Sequence, residues 1–428
     1  MAVLPATMRG WEAAATNPGR ARDAVESRGR AVWLAAAGAA ALLLLAVDGI
    51  GNDAAHLSWL VPGAGTASVP PPAGLASPLA FWLSGGVSPS ASFCLAALAM
   101  AVACVAMVRA AALLGASEVG GLAAVALLVG LAWPVSGPAL ASGIAAFGGS
   151  LPTEGVAVAL LLLSIALMLE GWRGAAVALL GVICDVQPEV ALWGLFGLVG
   201  ASLILAREKT PLLRAWLMGS IGAVILAVPV IVWWLHGGRP LPGGAAVDGL
   251  LPLPPWLPWT VPLANWVLCA CMLATGLAAF GVLGPDARAG RGAFLGLLLV
   301  FLCGCGVPLV SADAGWLSLR PVAVESVLQL FSVAAAAAVV ARDLRGTGGV
   351  LRVALSVTVA ASLLLDPYLL PVAALAMLAR AAAAHGELLG IERRIRDCDR
   401  TMLQRIALGA IGVAAVAGCV LRSGWLPR

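Results

Sequence analysis

About thirteen times between residues 31 and 422 the chain enters a run of 14 to 25 residues that is almost wholly apolar. Such runs allow few folds. A helix rising 1.5 Å per residue needs about 20 residues to cross the hydrocarbon of a bilayer. Backbone inside lipid must satisfy its own N–H and C=O groups, so spanning segments are helices or closed barrels. The runs lie near 31–47, 91–108, 119–137, 153–169, 174–187, 189–206, 213–235, 259–283, 292–311, 322–341, 350–366, 368–384 and 406–422. They are apolar stretches of helix length. With 61% hydrophobic and 11% charged residues, against about 25% charged in a soluble domain, the chain is neither a soluble enzyme, nor a disordered protein, nor a nucleic-acid binder. The fold expected is all-α: a polytopic transmembrane bundle of about 13 spans with a long non-cytoplasmic first loop.

Basic residues orient it. With residues 1–30 in the cytoplasm and spans alternating, 21 of the 25 Lys and Arg fall on the cytoplasmic side. Arg239, Arg320, Arg422 and Arg428 fall on the other, a strong positive-inside bias. The expected layout is a cytoplasmic segment 1–30, a transmembrane domain 31–384 with a periplasmic-side cavity, a cytoplasmic amphipathic segment 385–405 suited to anionic lipid, and a last span with a short tail over 406–428. The thirty mostly polar residues before the first apolar run exceed the n-region of a signal peptide, so that run is expected to be retained. The expected location is a bacterial inner membrane, with several spans and a cytoplasmic N-terminus.

One stretch departs from the pattern. Residues 174–206 must hold two spans but number only 33, where two full crossings need about 40. The turn inside reads Cys184-Asp185-Val186-Gln187-Pro188-Glu189. A short or broken hairpin there sets two carboxylates below headgroup level. Irregular backbone at that depth needs protein or a water-filled cavity around it, and intramembrane ionisable groups are candidates for function.

The far face holds nine of the 21 acidic residues: Asp48, Asp53, Glu154, Asp185, Glu189, Asp248, Asp313, Glu325 and Asp366. Asp48 and Asp53 stand just outside the first span in Asp48-Gly-Ile-Gly-Asn-Asp53-Ala-Ala-His56. A carboxylate in a partly dry site suits a general base toward an acceptor hydroxyl; the same residues also form an ordinary turn signal. His56 can hydrogen-bond the acid or a substrate. Glu154 and Glu325 open spans, where an acid complements the helix dipole. Arg320 is nearly alone on its face, and its planar fork matches phosphate oxygens; pairing with Asp313, Glu325 or lipid headgroups is the competing reading. His236 and Arg239 form a second phosphate candidate. Trp59, Trp82, Trp256, Trp259 and Trp316 share the face as interfacial anchors or as a platform for a sugar ring. Cys269/Cys271 and Cys303/Cys305 are either small packing residues or, if facing, ligands for a soft metal. No Walker loop, His-Glu-x-x-His, Gly-x-Ser-x-Gly or dinucleotide fingerprint occurs. The energy source is therefore a gradient or an activated substrate.

Three features together resemble the C-type, polyprenol-phosphate-sugar-dependent membrane glycosyltransferases. An acid (Asp48 or Asp53) follows the first span in a long external loop. Gly148-Gly149-Ser150-Leu-Pro-Thr-Glu154-Gly opens a span, followed by the basic turn Gly171-Trp-Arg173-Gly174 and a short hairpin closed by Gln187-Pro188. Arg320 precedes a late span. The resemblance covers about residues 31–210 and 310–340. It implies transfer of a hexose or pentose from a lipid-linked donor to a glycan, lipid or protein acceptor on the periplasmic side. Asp48 or Asp53 would be the base, Arg320 the phosphate clamp, and His56, Glu154, Asp185, Glu189, His236 and Arg239 would line the site. Gln187 stands where these enzymes carry Lys or His. No cofactor is implied; acids near a phosphate can recruit a divalent cation, but no ligand set is evident. Partners are the lipid-linked sugar, its acceptor and membrane lipids, with no nucleic acid. Two other classes fit the pattern: a transporter or flippase for a polar or lipid-linked solute, and a non-catalytic subunit of an envelope-assembly complex.

Overall fold

Prolines mark where the helices begin. A computed structural model describes residues 89–114, 125, 128–129, 132, 152–205, 211–236, 261–310, 321–344, 349–384 and 400–422. Helices α1 (Pro89–Leu113), α2 (Pro152–Glu170), α4 (Pro188–Leu205) and α5 (Pro211–Leu226) each open on a proline, as do the 3-10 turns Pro321–Val324 and Pro367–Leu369. Proline's fixed φ suits the first helical turn, where its missing N–H has no intrahelical partner to lose. The remaining helices are α3 (Arg173–Val186), α6 (Val228–Leu235), α7 (Leu263–Leu283), α8 (Arg288–Val310), α9 (Glu325–Leu344), α10 (Val350–Leu365), α11 (Leu370–Ala384) and α12 (Arg400–Arg422). Among the described residues the fold is all-helical, without a strand.

Five of these segments are long and apolar enough to cross a membrane: Pro188–Leu205, Leu263–Leu283, Arg288–Gly306, Val322–Leu344 and Pro367–Ala384. They mark a multi-pass membrane protein. The spans expected at 31–47 and over most of 119–137, the first external loop and segment 385–399 lie outside the described residues. The run expected as a span at 213–235 forms two helices, α5 and α6, bent by 50° at Ala227. Pro229 supplies the reason: it has no N–H and clashes with the preceding turn. The last helix also starts at Arg400, earlier than the 406 expected.

Lipid tails are as apolar as leucine, so helices in a bilayer associate through close packing of small residues, not through exclusion of water. Two contacts show this. Along α4 and α8 the backbones touch: a Cβ on Gly200 would lie 2.3 Å from the Gly292 carbonyl oxygen, and one on Gly296 2.2 Å from that of Phe196. Along α3 and α5, a Cβ on Gly181 would lie 2.2 Å from the Ala223 carbonyl oxygen. Helix α9 occupies the centre. It is buried along almost its whole length, and its run Ala334–Ala338 lets neighbours approach. Phe331 of α9 meets Phe280 of α7 and Phe294 of α8, with ring centroids 5.3 and 6.3 Å away.

Named contacts show that the bundle has two distinct ends. At one, Arg109 closing α1 pairs with Glu170 closing α2. Gly290 near the start of α8 sits against Leu114, Leu169 and Phe280, and Arg342 near the end of α9 donates to the last carbonyls of α7, at Val282 and Leu283. Every arginine side chain described from α1 to α11 falls at this end: Arg109, Arg173, Arg214, Arg288, Arg291, Arg342, Arg352 and Arg380. The opposite end carries Asp185, Glu189, His236, Glu325 and Asp366.

Candidate functional site

The short hairpin forms, and its tip is a single residue. Gln187 is extended at φ −157°, the conformation favoured before proline. Its N–H donates to the Ile183 carbonyl at 2.7 Å, ending α3, and its own carbonyl accepts from Val190 and Ala191, starting α4. The two helices then fold back on each other, so that Gly194 packs against Leu180. Both lie at equal distance from the tip. At the break Gln187 thus uses both its backbone N–H and its carbonyl.

The two carboxylates of the hairpin have different surroundings. Asp185, part-buried, reaches out of α3 to the bent span: its Oδ1 accepts from the Val230 N–H at 2.9 Å. Val230 lies in the first turn of α6, where backbone donors lack intrahelical partners, and the preceding Pro229 has none to offer. Asp185 therefore caps α6 from another helix. Glu189 is fully enclosed by protein, and its Oε1 accepts from Gln187 Nε2 at 2.9 Å. Gln187 Oε1 is buried without a hydrogen-bond partner.

A second buried carboxylate group lies at the same end. Glu325, fully buried in the first turn of α9, accepts from Gln329 Nε2 one turn on, at 2.8 Å. The Cys269 thiol of α7 lies beside the same carboxylate, and Cys305 of α8 is nearby. The two Cys-x-Cys pairs do not converge as wholes: Cys269 is buried, but Cys303 is exposed. Among the described residues no group of three or more His, Cys, Asp or Glu side chains is arranged to hold a metal ion.

Of the residues expected to form the site, Asp48, Asp53, His56, Arg239 and Arg320 lie outside the described residues. Glu154 is in the first turn of α2, as a helix-opening acid should be, and its side chain also lies outside them. His236 closes α6, exposed, with its ring Nδ1 2.8 Å from the Val232 carbonyl of the same helix. Asp366 accepts from the Tyr368 N–H and caps the turn between α10 and α11.

One polar cluster was not foreseen. Asp343 of α9, Arg380 of α11 and Ser356 of α10 meet inside the other end. Arg380 grips Asp343 with two hydrogen bonds of 2.6 Å, and the Ser356 hydroxyl donates to the same carboxylate at 2.6 Å. All three are nearly fully buried. The available signal was positional: an Arg in the last turns of one span and an Asp in the last turn of another.

No family model, curated protein or solved structure matches the chain.

Proposed function

We propose that the chain is an inner-membrane glycosyltransferase-like protein of the polyprenol-phosphate-sugar-dependent type, spanning the membrane about 13 times with its arginine-rich end in the cytoplasm. The observation that carries this reading is the placement of the Gln187-Pro188 hairpin. It forms as a one-residue reversal, and it brings Asp185 and Glu189 to the end of the bundle away from the described arginines. On this reading that end faces the periplasm and receives the lipid-linked donor. Asp48 or Asp53 takes the proton from an acceptor hydroxyl. The freed oxygen attacks the anomeric carbon, the bond from that carbon to the phosphate oxygen breaks, and polyprenyl phosphate leaves with the electron pair. Arg320 holds the departing phosphate, aided by His236 and Arg239. His56 orients the acceptor, and Glu154, Asp185 and Glu189 shape the wall.

The test is transfer by the full chain in nanodiscs, given polyprenyl-phosphate sugars as donors, with Asp48→Asn, Asp53→Asn and Arg320→Ala beside the wild type. The expected result is release of polyprenyl phosphate by the wild type and a loss of 10²-fold or more in one aspartate variant and in the arginine variant, the scale of a lost general base. Equal release by all four proteins overturns the assignment.

The bent α5–α6 span favours one other reading, a transporter or flippase. Broken helices shape many transport sites. Solute uptake into proteoliposomes, without donor cleavage, would select it.

A further inference from the structure

We propose that α6 is a hinged half-span, turning about Ala227, and that Asp185 is the latch that holds it against the bundle. Three observations combine. The bend between α5 and α6 is 50°, and Pro229 beside it removes the backbone donor that would stiffen the joint. Helix α5 is held along its length by glycine contacts to α3, whereas Val230 is the single buried residue of α6. Leu235 at the far end of α6 is 79% exposed, and Val228 and Val232 are also turned outward. At that one buried residue the Asp185 carboxylate, 45 residues away in the chain, accepts the Val230 N–H.

The chemistry makes Asp185 a positioning residue. A hydrogen bond to an ionised acceptor is about twice as strong as a neutral one. The N–H it satisfies belongs to a fully buried residue, where an unsatisfied donor is expensive. The latch therefore links the hairpin tip to the outer third of the bent span: any event that neutralises or diverts the Asp185 carboxylate loosens α6 at Val230 while α5 stays packed. Release opens the flank between α3 and α6 toward lipid, beside the buried Gln187 and Glu189. The inference stands independently of the transferase reading, since it concerns motion and not chemistry.

Hydrogen–deuterium exchange of the full chain in nanodiscs tests it, comparing wild type with Asp185→Ala and Asp185→Asn. The alanine variant should lose at least tenfold protection over Val228–Leu235 and keep wild-type protection over Arg173–Val186 and Pro211–Leu226. The asparagine variant keeps a neutral acceptor and should fall between. If the alanine variant does not fold, the asparagine variant gives the same reading at smaller amplitude. Unchanged protection of α6, or equal loss in all three segments, overturns the proposal; the second result would make Asp185 an ordinary stabilising cap.

Discussion

The two ends of the bundle give their described carboxylates different surroundings. At the arginine-rich end each described carboxylate has a guanidinium: Glu170 has Arg109, and Asp343 has Arg380. At the other end no described arginine is present, and the partners of Asp185, Glu189 and Glu325 include a backbone N–H and two side-chain amides. A neutralised pair fastens helices and needs no further explanation. An ionisable group inside an apolar bundle is costly to keep and is a candidate for function. On the proposed function the first end is scaffold and the second receives the lipid-linked donor.

Several substitutions would break or sharpen this contrast. The largest effect belongs to Arg380→Ala, which leaves Asp343 charged and enclosed. Breaking a buried pair from one side costs about 3–5 kcal/mol, visible as a large drop in thermal unfolding temperature in detergent. The double replacement Arg380→Met with Asp343→Leu should recover most of it; no recovery would mean that the pair does more than fasten. Next comes Gly296→Leu, which drives a side chain into the Phe196 backbone. Overpacking of about 1–3 kcal/mol is expected, with Gly409→Ala, which meets nothing within 4 Å, as a silent control. Asp185→Ala should cost about 0.5–2 kcal/mol, the range of a lost helix cap. The smallest effect is that of Arg109→Ala. Its side chain is 45% exposed, and exposed pairs contribute about 0–1 kcal/mol. A loss as large as that at Arg380 would erase the distinction between surface and buried pairing.

The helices themselves were legible because their punctuation is local. Pro152, Pro188 and Pro211 announce the starts of α2, α4 and α5, and the charge-poor runs supply the lengths. The hairpin at Gln187 was readable from arithmetic alone, since 33 residues are too few for two full crossings. The bend at Ala227 was missed: Pro229 sits in a run so uniformly apolar that hydropathy showed no boundary. What joins distant segments was not legible. The Asp343–Arg380 pair spans 37 residues, and the partner of Asp185 is a backbone N–H that any residue but proline would supply. Glu325 and Gln329 were closer to readable, since a four-residue spacing puts both on one helical face. Asp48, Asp53 and Arg320 remain sequence-derived elements of the proposed mechanism.

The claim on which the account rests is that the two ends face opposite sides of a membrane. Single cysteines at His236 and at Arg214, in a background stripped of the nine native cysteines, can be probed in intact cells with a membrane-impermeant maleimide that reaches the periplasm. The account predicts labelling at position 236 without permeabilisation and labelling at 214 only after it. Labelling of both from the same side, or the reverse order, would contradict it.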